Sequence, residues 1–242
     1  MAAAKPKFLP LYQQVKASLI KRISAGEWPP GTFLPSETAL AEKYGVSQGT
    51  LRKALIELTN ERCLVRYQGK GTAVATFESD QALFRFLRIR RKDGKKVQPV
   101  SLAVSARVDA ATPEESKELR IANGKRVYRM ERIRLIDGRA VVNEVITLPL
   151  ELFPGFDSIG PSNLPNTLYD LYQKSYGVIV ALVEERLDAV AADAADAKRL
   201  KVPLGYPLLR ILRLAFDLKG TVVELRDSRC VTDSLEYSNE IR

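Results

Sequence analysis

Apolar residues recur at helical spacing along the first quarter of the chain. Leu11, Val15 and Leu19 stand four apart, Ile20 and Ile23 widen the stripe, and Lys16, Lys21 and Arg22 face away. This predicts a core-facing helix with a cationic outer side. Gly26 suits the left-handed position that ends it, and Pro29-Pro30-Gly31 enforces a loop. Ser36 is a good N-cap for a second helix, with Glu37 in its first turn and Gly45 stopping it. After a turn of about three residues, Ser47 caps a third helix whose Leu51, Leu55 and Leu58 form a buried stripe. Val65, Tyr67, the tip Gln68-Gly69-Lys70-Gly71, Thr72 and Val74 read as a hairpin. Helix, helix, tight turn, helix, hairpin describes a winged helix-turn-helix, assigned to residues 1–76.

Residues 77–82 form a polar linker, and from 83 to 242 the periodicity changes. Segments 83–91, 97–109, 126–136, 140–148, 178–188, 207–217 and 221–232 have strand character, and 113–121, 167–175 and 192–200 are helical. Asp137-Gly138 and Lys219-Gly220 are hairpin signals. Adjacent strands with few helices between them predict an α+β domain around an antiparallel sheet.

Within that sheet the polar positions are the informative ones. Tyr128, Met130, Arg132, Arg134 and Ile136 share one strand face by alternation. Two arginines among apolar neighbours either pair with acids or line a cavity for an anion, whose geometry a guanidinium matches. Glu144 on the next strand is the candidate partner, and the turn decides. A two-residue Asp137-Gly138 turn sets Arg132 opposite Asn143. A three-residue loop with left-handed Gly138 and a bulge sets Arg132 opposite Glu144, and this second arrangement is favoured. Glu224, Arg226 and Ser228 alternate beside Cys230 on the last strand, either as cavity lining or as a polar edge strand facing water. Arg85, in Leu83-Phe84-Arg85-Phe86-Leu87, belongs to the same class.

Charge sharpens the picture. The net charge is +9, and residues 1–77 hold eleven Lys/Arg against five Asp/Glu. The remainder holds 27 against 24, so the N-terminal part has the higher charge density, as a surface meeting phosphates should. Gln48, Thr50, Arg52 and Lys53 crowd the start of the third helix behind Ser47, the end that enters a major groove in such modules. Gln and Arg pair with purine edges, whereas Ser, Thr and Lys suit phosphates. Gly49 fits a close approach to the DNA backbone. Gly69 and Gly71 let the hairpin tip approach a duplex, where Lys70 supplies charge. A phosphate-binding loop is disfavoured, because the Gly-x-x-x-x-Gly-Lys-Ser/Thr spacing is missing.

Other chemistries recede. Histidine is absent, which removes the commonest general base and metal ligand, and Cys63 and Cys230 have no disulfide or metal-site spacing. No catalytic residues, metal or cofactor are expected. No apolar run is long enough for a membrane span and no signal peptide is visible, so a soluble, cytoplasmic protein is expected.

Residues 11–75 resemble the DNA-binding domain of the GntR family of bacterial transcription regulators. The likeness rests on Leu11-Tyr12-Gln13-Gln14, Gly31 to Glu37, Leu40-Ala41, Tyr44 to Ser47, Thr50-Leu51-Arg52, Ala54-Leu55 and Gly69-Lys70-Gly71-Thr72. It implies a homodimer on a pseudo-palindromic operator in double-stranded DNA, with Ser47, Gln48, Thr50, Arg52, Gln68, Gly69 and Lys70 at the duplex. Many members carry arginine where this chain has Thr38 and Gln48, and Cys63 replaces a glycine or small aliphatic. Residues 83–242 resemble the UTRA (HutC-type) effector-binding domain, which has a chorismate-lyase-like fold. Glu131 to Arg134, Asp137-Gly138, Glu144, Leu148-Pro149, Leu152 to Gly155, Thr167 to Tyr169, Gly205 to Leu209 and Val223-Glu224 carry that likeness. By it, Arg132, Arg134, Thr167 and Tyr169 would hold an anionic group, and Glu144 and Glu224 would accept ligand hydroxyl or amino hydrogens. Arg85 and Arg226 sit where members vary, which admits a second anionic group. The expected effector is therefore a sugar phosphate, an organic acid or an amino-acid catabolite.

The expected function is a ligand-responsive transcription regulator, a repressor released from DNA by that effector. Two alternatives stand beside it: a lyase-like enzyme using Glu144 and Glu224 as acid and base, or a C-terminal domain that only dimerises.

Overall fold

The computed structural model describes residues 9–61, 63–76, 88–95 and 99–239. The chain forms two compact units, Met1–Thr76 and Phe77–Arg242. The linker assigned to 77–82, and Arg85 with it, lie outside the described residues.

In the first unit α1 (Leu11–Ser24), α2 (Glu37–Tyr44) and α3 (Gln48–Asn60) precede the hairpin β1 (Leu64–Tyr67) and β2 (Gly71–Val74). Ser36 and Ser47 each accept a hydrogen bond from the backbone N–H three residues on, at 3.2 Å, capping α2 and α3. Gly45 adopts φ 61° at the end of α2, a conformation that strains any residue with a Cβ. Val15, Leu19, Ile23, Leu40, Leu51, Ala54, Leu55 and Leu58 interlock as the core, the stripes that the four-residue spacing predicts.

The second unit is built on a six-stranded antiparallel sheet. In chain order it comprises β3 (Ile89–Arg91), β4 (Val100–Ala110), α4 (Pro113–Leu119), β5 (Arg126–Ile136), β6 (Arg139–Pro149), α5 (Leu168–Tyr176), β7 (Val180–Ala191), α6 (Ala194–Leu200), β8 (Pro207–Asp217), β9 (Val222–Cys230) and β10 (Leu235–Tyr237). The large sheet runs β4-β5-β6-β9-β8-β7, while β3 and β10 pair separately. From β6 the chain crosses through three 3₁₀ turns and α5 to the far edge, then returns through α6 and the β8–β9 hairpin to place β9 beside β6. Helix α5 lies on one face, where the Tyr169 and Tyr172 hydroxyls reach Glu224. Helices α4 and α6 lie on the other, anchored by Arg129 to Glu115 and by Asn143 to Asp196.

The β5–β6 hairpin corrects one expectation. Its turn has two residues, Asp137 at φ 51° and Gly138 at φ 77°, which is a type I′ turn and not a three-residue loop. Arg132 nevertheless stands opposite Glu144, because Val141 is an extra residue in β6 between the pairs Leu135–Ala140 and Arg134–Val142. The bulge shifts the register by one residue, and one residue changes the face. Strand β9 is likewise no polar edge strand: it lies between β6 and β8, and Glu224, Arg226 and Ser228 are buried.

Candidate nucleic-acid interface and ligand cavity

The exposed edge of the first unit is assembled from α2, α3 and the hairpin. Ser47, Gln48, Arg52 and Lys53 are exposed at the start of α3, with Thr50 half-buried, and Gln68, Gly69 and Lys70 are exposed at the hairpin tip. A groove lined by Ser36, Glu37, Arg66, Tyr67, Gln68, Gly69 and Lys70 runs between the start of α2 and the hairpin. Several of the expected side chains are engaged locally. Ser47 Oγ and Thr50 Oγ1 lie 2.9 Å apart, and Lys53 Nζ sits 4.0 Å above the Tyr12 ring. A Cβ on Gly49 would meet only Ser47 Oγ, at 3.8 Å, so packing inside the module does not demand glycine there. Sequence reasoning passed over Arg66, which donates to Glu37 at 2.7 Å. Its signal was charge, since Arg66 is the one cation of the strand Leu64–Tyr67.

In the second unit the charged residues of β5, β6, β8 and β9 meet on the face covered by α5. Arg132 Nε donates to Glu144 Oε1, and Arg134 Nε reaches the same oxygen at 3.2 Å. Arg226 forms a two-pronged pair with Glu224, at 2.9 and 2.8 Å. Tyr169 and Tyr172 donate to that carboxylate at 3.0 and 2.7 Å. Arg213 pairs with Glu185 at 2.6 Å. Ser228 Oγ stands 3.5 Å from Glu144 Oε2, and Thr167 lines the same cavity just ahead of α5. Four buried guanidiniums thus share this interior with three carboxylates, and the partly exposed Arg88 lines the cavity beside them.

The arrangement is short of negative charge. Burial, then the neighbouring Arg132, Arg226 and Arg213, push Arg134 down to about 9 against the pull of Glu144. Burial acts to raise Glu144, but Arg132, Arg134 and Arg226 outweigh it and hold the carboxyl well below the usual range. Arg132 Nη2 and Arg134 Nη1 are buried without a hydrogen-bond partner among the described residues. A buried cation with an idle donor is costly, and an anion beside it removes the cost. The open space beside these groups is about 50 Å³.

The structure therefore lines one cavity with Arg134, Glu144, Thr167, Tyr169, Arg226 and Ser228, and sets Arg132 and Glu224 behind that lining, bonded to Glu144 and to Tyr169. Arg88, Arg213, Glu185 and Tyr172 also belong to the cluster and were not anticipated. Arg213 was findable, because Leu209, Ile211, Arg213 and Ala215 alternate on β8 as the arginines of β5 do. Arg88 and Tyr172 reach the site through tertiary packing and carry no comparable sign. Among the described residues no helix is long and apolar enough to cross a membrane.

Comparison with known proteins agrees with both halves. Residues 11–74 match the model for bacterial regulatory proteins of the gntR family, and residues 95–236 match the UTRA domain. The probable fructoselysine utilization operon transcriptional repressor of Shigella flexneri is 31% identical over 223 residues, spanning 91% of this chain and 90% of the relative. The histidine utilization repressor of Pseudomonas aeruginosa is 29% identical, spanning 90% and 86%. The ligand-binding domain of a GntR-family regulator from Bordetella bronchiseptica superposes with TM-score 0.61 at 27% identity, covering 65% of this chain and 98% of that domain. A winged helix followed by a sheet with a buried arginine cavity, matched in sequence over both units, makes this chain a member of the GntR family of bacterial transcription regulators, with a UTRA effector domain.

Proposed function

We propose that the protein is a homodimeric repressor, released from a pseudo-palindromic operator when a small anionic metabolite enters the arginine cavity. Residues 77–82 join its two working parts. Ser47, Gln48, Thr50, Arg52 and Lys53 meet the major groove and its flanking phosphates, and Gln68, Gly69 and Lys70 meet the minor-groove side. Two-fold symmetry sets the recognition helices about one DNA turn apart, roughly 34 Å. Arg132, Arg134, Thr167, Tyr169 and Arg226 hold the anionic group, with Ser228 beside them. Glu144 and Glu224 order those arginines and accept hydrogens from the rest of the ligand.

One observation carries the reading: the two buried guanidinium nitrogens, Arg132 Nη2 and Arg134 Nη1, without a partner among the described residues. The small volume supports the switch as well. Cavities for metabolites are usually several hundred Å³, so filling one of about 50 Å³ has to displace side chains. That displacement is the physical handle on DNA affinity, and a tenfold release needs only about 1.4 kcal/mol of coupling. The relatives' names, one a fructoselysine utilization repressor and one a histidine utilization repressor, support a catabolic signal without fixing its chemistry.

The test is a thermal-shift screen of phosphate esters, carboxylates and amino-acid catabolites, followed by operator binding with each hit. A stabilising ligand that also weakens operator binding, with both effects lost in Arg134→Gln, is the expected result. No shift across the library would leave the sheet as a dimerisation scaffold, its arginines serving only their internal ion pairs.

A further inference from the structure

The first turn of α2 holds side chains of two other elements. Glu37 Oε2 accepts from Arg52 Nε on α3 at 2.9 Å, and Glu37 Oε1 accepts from Arg66 Nη2 on β1 at 2.7 Å. Next to it, Thr38 Oγ1 accepts from Gln48 Nε2 at 3.3 Å. A carboxylate on an edge that meets phosphates opposes binding by its charge. Glu37 offsets that by engaging a guanidinium with each oxygen.

The atoms used are as informative as the partners. Arg52 is held through Nε, so this contact spares its two terminal nitrogens, the pair that matches guanine O6 and N7. Gln48 is held through one amide N–H, which spares Oε1 and the other N–H, the pair that matches adenine N6 and N7. Four residues on a helix rise about 6 Å, and stacked base pairs are about 3.4 Å apart. The two side chains therefore reach base pairs one or two steps apart.

We propose that the first turn of α2 is a positioning element for operator reading. Glu37 presents Arg52 to a guanine and ties it to Arg66, which contacts the backbone from the hairpin. Thr38 presents Gln48 to an adenine one or two base pairs away. Glu37 and Thr38 are positioning residues that act through α3. The proposal rests on the assignment of α3 as the base-reading helix.

To test it, the full-length protein is first selected against random duplexes to define its half-site. Wild type, E37Q and T38V are then titrated against the selected duplex and a random one, with unfolding temperatures measured alongside. E37Q should lose roughly tenfold or more in discrimination, concentrated at the guanine. Its affinity for random DNA should hold or rise, because a negative charge has left the edge. T38V should lose several-fold, confined to the adenine. A half-site lacking this purine pair, or discrimination within twofold of wild type in both variants, overturns the proposal. Equal losses on both duplexes with a lowered unfolding temperature also overturn it, since they mark a folding role alone. R52A and Q48A separate the two levels. If they too keep wild-type discrimination, the assignment of α3 itself fails. If they lose it while E37Q and T38V do not, only the positioning role fails.

Discussion

Arginine is a poor core residue unless its charge is matched, and the sheet of the second unit buries four beside three glutamates. Glu144 carries the largest share of that matching, touching Arg132, Arg134 and Arg226. Glu144→Gln should therefore destabilise the protein by about 3–5 kcal/mol, read from urea denaturation, because it strands buried cations. Arg134→Gln should cost far less or raise stability, while removing the ligand effect, since it deletes the cation with least compensation. Similar losses in the two variants would contradict the charge imbalance. Alkali gives a second measurement. Burial, then Glu224, push the Tyr169 hydroxyl up to about 12 from an ordinary 10.0, and Tyr172 rises in the same direction. A folded pKa above the unfolded one gives stability that is complete below pH 10 and lost as pH climbs toward 12. Tyr169→Phe should flatten that loss in denaturation curves taken across the interval. At this scale the alternating arginines of β5 were legible. Arg88 and Tyr172 were not, because their role comes from elements distant in sequence.

Among the elements, the β5–β6 hairpin shows how little separates one arrangement from another. A type I′ turn alone pairs Arg132 with Asn143, and the bulge at Val141 restores Glu144 to the arginine face. Deleting Val141 should cost at least as much stability as Glu144→Gln, since it turns Glu144 and the rest of β6 beyond the bulge to the other face. A deletion variant with wild-type unfolding behaviour would show that the register relaxes elsewhere. The helices and long strands were predictable to within a few residues, because amphipathic periods and serine caps are local signals. The three-residue strand β10 and the 3₁₀ turns were not, being shorter than any period that could announce them.

At the scale of the whole molecule, charge separates DNA affinity from ligand sensing. The strongly cationic first unit governs salt dependence, and neutralising one phosphate contact should lower the slope of log affinity against log salt by about 1. Lys70→Ala should show that decrease nearly uniformly over DNA sequences, with the effector response retained, in operator titrations at several salt concentrations. An unchanged slope would remove the hairpin tip from the duplex.

Amphipathic period, capping residues, glycine at left-handed positions and the uneven spread of charge were enough to determine a winged helix and an antiparallel sheet, since each depends only on neighbours along the chain. Tertiary structure decided what those signals left open. It paired β9 with β6 and put Glu224 and Arg226 inside, and it chose the face of Glu144 through one bulged residue. It also gave Arg52 and Gln48 their anchors on α2. These depend on contacts between distant segments, where a shift of one residue exchanges buried for exposed and no local preference registers the difference.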